Sequence, residues 1–187
     1  MMRKLIVQEW LSVDGYAADE HGSTDFFGPT LDHTDMDQYA LSAMDSIDTI
    51  LLGANTYRLF LDFWPTDAAK GEIMADRLNA TSKIVFSNSL EKVEWGKWDA
   101  PKLQHGDAVA AVKKLKEQEG KDLIVWGSLK LTRSLLEANL VDEIKLGIVP
   151  VILGKGLRLF GALNQLKLSI TEFKKFNSGI TIVTYKV

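Results

Sequence analysis

Two glycines stand where an apolar strand-like run gives way to a helical pattern, and small polar residues follow each of them. Leu123-Ile124-Val125-Trp126 runs into Gly127-Ser128-Leu129-Lys130, and residues 48–52 run into Gly53-Ala54-Asn55-Thr56. A glycine at the end of a buried strand lets a backbone or a phosphate come close. A helix that opens at that point offers unpaired N–H groups and its positive dipole end to an anion. The chemistry suggested is the holding of a phosphorylated ligand, with Gly127, Ser128 and Leu129 on the pyrophosphate of a dinucleotide. A single junction of this kind is equally a plain turn. Two in one domain are more than turn chemistry requires.

Other residues carry a functional and a structural reading side by side. Asp14, in Ser12-Val13-Asp14-Gly15, is a carboxylate at a strand end; it faces a cleft or makes an Asp-Gly turn. Asp35 and Asp37 fall in the first turn of a helix, where the dipole favours negative charge; a carboxylate there also suits proton handling in a cleft. Ser87-Asn88-Ser89 closes a strand with groups that hydrogen-bond a ribose or its phosphate, or that form a turn. Gly154 and Gly156 flank Lys155 in a loop able to approach an anionic substrate. Residues 18–32 read as a long loop whose Phe26 and Phe27 cover a flat ring or pin the loop to the core.

The elements that must position these groups follow from periodicity. Residues 4–13 form a first strand, and its run Leu5-Ile6-Val7 is that of a strand buried on both faces. Thr34 caps a helix to about residue 45, with Met36, Tyr39, Ala40 and Ala43 inward. Residues 48–52 form a strand, a short helix runs on through Leu61, and a third helix covers roughly residues 69–79. Residues 83–86 are a strand, 102–104 a short one, and Asp107 caps a helix to about Gln118. The helix after Ser128 turns Leu131, Leu135, Leu136 and Ala138 inward and stops at Asn139, and residues 141–149 return as a strand. Strand, glycine, helix, strand is a βαβ-like order. The chain closes in a hairpin, with Asn177-Ser178-Gly179 as the turn.

Composition narrows the classes. A chain of 187 residues, 46% hydrophobic and 25% charged with four prolines, is most simply one domain, residues 1–187. Gln8 and Glu9 interrupt the apolar start, which therefore reads as a strand and not as a signal peptide. No run is long enough for a membrane span. With no cysteine, disulfides and thiolate metal sites are excluded, no metal site is expected, and a cytoplasmic location fits. A net charge of −3 without a basic block argues against nucleic acid.

The segments LIVQEWLSVDGYAA, ILLGANTYRLF, KIVFSNSL, LIVWGSLKLTRSLLEANLVDEIKLGIVPVILGKGLRLF and NSGITIVTYKV, in that order, resemble the dihydrofolate-reductase-like proteins. The nearest branch is the reductase domain of the riboflavin-pathway bifunctional deaminase-reductase, here free-standing, since the deaminase zinc signature is absent. The resemblance implies a three-layer α/β/α fold on a mixed, mostly parallel sheet with a C-terminal antiparallel hairpin. It implies hydride transfer from NADPH, with NADH not excluded, to a small polar substrate, of the 5-amino-6-(5-phosphoribosylamino)uracil or dihydrofolate kind. Gly53, Ala54, Asn55 and Thr56 would take the adenosine-side phosphates, Ser87 and Asn88 the ribose, and Gly127, Ser128, Leu129 and Lys130 the pyrophosphate and nicotinamide side. Asp14 matches a substrate-facing acid, Gly154 and Gly156 border the substrate, and Asp37, sixteen residues before Gly53, has the spacing of a catalytic carboxylate. A homodimer is implied as well. Ala54 departs from the pattern: folate-type reductases carry a basic residue there for the 2′-phosphate, and Arg58 is the available substitute. The alternative reading is a nucleotide-binding protein of this fold without turnover.

Overall fold

The structure is a computed structural model describing residues 2–27, 33–161 and 163–187. In chain order it runs β1 (Leu5–Ser12), β2 (Tyr16–Ala18), α1 (Thr34–Ala43), β3 (Ile47–Gly53), α2 (Ala54–Leu61), α3 (Ala75–Ala80), β4 (Ser82–Phe86) and β5 (Lys102–Gln104). It continues with α4 (Ala108–Lys116), β6 (Asp122–Trp126), α5 (Leu129–Glu137), β7 (Glu143–Val149), β8 (Leu157–Arg158), β9 (Ser169–Lys175) and β10 (Thr181–Lys186).

Eight strands form one sheet in the order β5-β4-β3-β6-β1-β7-β10-β9. From β5 to β7 every pairing is parallel, whereas β10 and β9 add the expected antiparallel hairpin. Strands buried on both faces need apolar residues at nearly every position, and β3, β4 and β6 supply them as Ile50-Leu51-Leu52, Ile84-Val85-Phe86 and Leu123 to Trp126. Helices α4 and α5 cover one face with Val112, Leu131, Leu135 and Leu136. The other face carries α1, α2 and α3, through Ala40 and Leu41, Tyr57, and Leu78. The result is the three-layer arrangement. No helix among the described residues is long and apolar enough to cross a membrane.

Several local expectations are met. Asp107 caps α4 by accepting from the amides of Val109 and Ala110 at 2.9 and 3.2 Å. Asn139 ends α5 in the left-handed region at φ 54°. Others are corrected. His33, not Thr34, occupies the N-cap position of α1, and Thr34 is its first residue. The expected helix over 69–79 is a single 3-10 turn at Asp67–Ala69 followed by the short α3, because Gly71 at φ 98° breaks the helical path. Residues Tyr16–Ala18 and Leu157–Arg158 pair as a separate antiparallel ribbon to which periodicity gave no element. Residues 28–32 of the expected long loop lie outside the described residues. Its Phe27 packs on Trp10 at 5.3 Å between ring centroids, so this aromatic pins the loop to the sheet.

Candidate active site

In an open parallel sheet, ligands bind outside the carboxyl ends of the strands, where strand order reverses. Here β6 inserts between β3 and β1, so the two glycine junctions at Gly53 and Gly127 are neighbours. A Cβ added to Gly127 would stand 3.1 Å from the Thr56 side chain, and one on Gly53 would stand 3.3 Å from that of Ser128. The two crossings are therefore in contact. Gly127 and Ser128 both take left-handed backbone conformations, at φ 58° and 61°. For a serine that is strained by roughly 1–2 kcal/mol.

Hydrogen bonds hold the strained turn in place. Ser128 Oγ accepts from the Gly53 amide at 2.7 Å. The Ser128 amide donates to Thr56 Oγ1 at 2.9 Å, and the two hydroxyl oxygens also lie 2.9 Å apart. Ser128 thus binds the other crossing instead of capping its own helix. Neither α2 nor α5 has a side-chain cap. Their first-turn amides, at Ala54, Asn55 and Thr56 and at Leu129, Lys130 and Leu131, have no partner within the helix. Helix-start amides of this kind are the groups that bind phosphate, although the Ser128 amide itself is already engaged.

Around it, Ser87 and Asn88 knit the ends of β4 and β5. Ser87 Oγ accepts from the amides of Ser89 and Leu90 at 3.2 and 3.1 Å, and Asn88 Oδ1 accepts from Gly106 at 2.7 Å. Arg58 donates to Asn55 Oδ1 at 3.3 Å, which sets a guanidinium over the first turn of α2.

At the β1 end, Asp14 accepts from Ser12 Oγ at 2.7 Å, from the Leu153 amide at 3.1 Å and from the Gly154 amide at 2.8 Å. The Ser12 hydroxyl first, and then these amides, hold its carboxyl down at about 2. Asp14 is an anionic clamp on the 153–156 loop. Gly156 is pressed against β2, where an added Cβ would come within 2.1 Å of the Ala18 carbonyl. Asp37 sits half-buried on α1, beside Met36, which packs against Val149 and Phe176. Asp35 instead accepts from the Asn177 amide at 2.9 Å and ties α1 to the terminal hairpin turn.

Three residues went unnoticed as site candidates: Glu9, Trp10 and Gly147. Gly147 on β7 lies opposite Trp10, whose indole occupies the space a Cβ would need. Glu9 is buried in the sheet, and burial pushes its carboxyl up to about 8. The signal was present, since a charged residue continues an otherwise two-face-buried strand.

The RibD C-terminal domain model matches residues 3–182. The chain belongs to the RibD C-terminal domain family. YyaP of Bacillus subtilis (strain 168), an uncharacterized protein, is 27% identical over 98% of this chain and 94% of its own length. A crystal structure of a Shewanella sp. PV-4 protein assigned to riboflavin biosynthesis superposes with a TM-score of 0.76 at 26% identity, covering 100% of this chain and 98% of that one. Dihydrofolate reductase from Enterococcus faecalis, solved with NADP(H), shares the fold at a TM-score of 0.65 and 12% identity, covering 100% of this chain and 98% of that one. The fold is dihydrofolate-reductase-like.

Proposed function

We propose that this protein is a reductase that takes hydride from NADPH to a small polar heterocyclic or ribosyl substrate. The observation that carries the reading is the pair of uncapped helix starts, α2 and α5, tied together through Ser128, Gly53 and Thr56. Ala54 to Thr56 and Leu129 to Leu131 would hold the phosphates with main-chain amides. Ser87 and Asn88 border the adenosine end, and Arg58 is the cation available for a 2′-phosphate.

When bound, the nicotinamide supplies the hydride, and the protein supplies orientation and a dry pocket. Trp10, Gly147 and Phe27 wall the β1 side against water. Asp14, ionised across the neutral range, keeps the Gly154–Gly156 loop against the substrate end and does not release a proton there. Asp37 on α1 is the carboxylate assigned to proton handling. A homodimer belongs to the same proposal, and sedimentation of the purified protein tests it.

Titration with NADPH and NADH, read by nicotinamide fluorescence, is the direct test; no binding of either at millimolar concentration removes the reading. A second reading, cofactor binding without turnover, is favoured by Ala54, which stands where folate-type reductases carry a basic residue. It predicts binding with no NADPH oxidation across pyrimidine ribosides, pterins and dihydrofolate.

A further inference from the structure

The parallel ladder leaves a notch in the sheet beside this crevice. Along a strand, successive residues present amide and carbonyl to alternate neighbours. The carbonyls of Lys4 and Gln8 accept from Leu123 and Gly127, so even-numbered residues of β1 face β6. The Leu5 carbonyl accepts from Asp142 and the Val13 amide donates to Val151, so odd-numbered residues face β7. Trp10 therefore faces the β6 side. Strand β6 ends at Trp126, opposite Gln8, and has turned away at Gly127. Where the next ladder bond would form, the Trp10 amide donates to Oε1 of its own neighbour Glu9 at 3.2 Å.

Glu9 is only 7% exposed, and its Oε2 is buried with no hydrogen-bond partner among the described residues. Its face of β1 is apolar: Val7 and Leu11 flank it and Leu146 is opposite on β7. Helix α5 turns Leu131, Thr132, Leu135 and Leu136 inward, its Lys130 is exposed, and its Arg133 bonds to the carbonyls of Arg158 and Leu159. On the β2–β8 ribbon, Ala17 is buried and the Arg158 guanidinium lies over the Tyr16 ring. Among the described residues no cation compensates Glu9, and its raised pKa has burial as its cause, opposed by the Trp10 amide. A buried carboxyl with an idle oxygen costs stability that a leucine would not. Packing gives no reason for it; its place on β1 beside the end of β6 and the Gly127 crossing does.

We propose that Glu9 is a ligand-binding residue whose carboxyl donates a hydrogen bond, from the β1 notch, to a carbonyl acceptor on the uncharged ring end of the bound molecule. The proposal rests on the reading of the crevice as a nicotinamide dinucleotide site. On binding, Oε1 keeps the Trp10 amide and the proton on the idle Oε2 is donated to the ligand. The ionised form cannot donate, and it leaves a buried negative charge beside the ligand.

The test is NADPH titration of wild type, Glu9→Gln and Glu9→Leu between pH 6.5 and 9, with thermal unfolding to show that each variant is folded. Wild-type affinity should fall about tenfold from pH 7 to pH 9 as the proton is lost. Glu9→Gln keeps an N–H donor and should be flat over the same range. Glu9→Leu should bind about tenfold more weakly at pH 7, the effect of one hydrogen bond. If Glu9→Leu does not fold, the wild-type and Glu9→Gln profiles decide alone. Coincident profiles for those two, or a Glu9→Leu protein that binds like wild type, would overturn the proposal while leaving the crevice reading intact. A wild type that binds neither NADPH nor NADH at any pH overturns both.

Discussion

The hydroxyl oxygen of Ser128 lies 2.7 Å from the amide nitrogen of Gly53, so the first residue past one strand-to-helix crossing accepts the last amide of the other strand. Residues 75 apart in sequence thereby hold two helix starts in register. The same serine sits in a left-handed conformation that costs energy, and Thr56 secures it by taking its amide. Ser128→Ala removes the acceptor but keeps the strain. It should lower stability by about 1–2 kcal/mol and weaken NADPH binding about tenfold. Ser128→Gly loses the same bonds but relieves the backbone, and should recover about 1 kcal/mol of the stability without recovering affinity. Urea unfolding and fluorescence titration separate the two effects.

Gly147 and Trp10 form a second close pair, with an added Cβ falling 1.9 Å from the indole ring. Gly147→Ala must displace an indole that in turn carries Phe27. Overpacking of this kind costs about 1–3 kcal/mol. The expected result is a lower urea midpoint together with a changed tryptophan emission spectrum.

Asp14 offers a pH prediction with a defined sign. Its folded pKa is depressed to about 2, so its contribution is present above the ordinary aspartate value and is lost as pH falls through about 2. Across the neutral range it stays ionised. Asp14→Asn should speed amide exchange at Leu153 and Gly154, which lose a charged acceptor. It should leave the shape of the kcat/KM pH profile between pH 5 and 9 unchanged. An altered profile would mean that Asp14 moves a proton.

Arg58, one helical turn beyond Ala54 and bonded to Asn55, is the cation proposed for a 2′-phosphate. Arg58→Ala should weaken NADPH binding about tenfold, the order of a lost charge-assisted contact to phosphate. NADH binding should not change. Ala54→Arg should shift preference the other way, and the ratio of the two dissociation constants is the measurement.

Glu9 links the crevice to stability. Its folded pKa, about 8, lies above the ordinary 4.5, so the folded state holds a proton that the unfolded chain releases between those values. Stability should therefore fall as pH rises from about 4.5 to 8 and then level off, by an amount on the order of a few kcal/mol. Glu9→Gln should remove most of that slope. Urea midpoints at pH 5, 6.5 and 8 read it directly.

Much of the architecture was legible because strands and helices write themselves in local periodicity. Residues 123–126 and 48–52 read as strands from their apolar runs, and α4 carried its start signal at Asp107 and α5 its stop signal at Asn139. Helix α3 was misjudged because a helical pattern of apolar residues says nothing of the φ that Gly71 adopts. The β2–β8 ribbon escaped because each strand is too short to show alternation, and its partner is far away in the chain.

The sequence by itself determined that two glycine-marked junctions exist, and it carried the family's motifs in order. Only the tertiary structure decided that β6 inserts between β3 and β1, which makes those junctions touch and sets Ser128 as a strut between them. It also decided that β6 ends two residues short of Trp10 and leaves Glu9 in the gap. The physical reason is that strand order and register are set by long-range packing and hydrogen bonding. A residue's neighbours across a sheet have no fixed separation in sequence, so no local spacing can announce them.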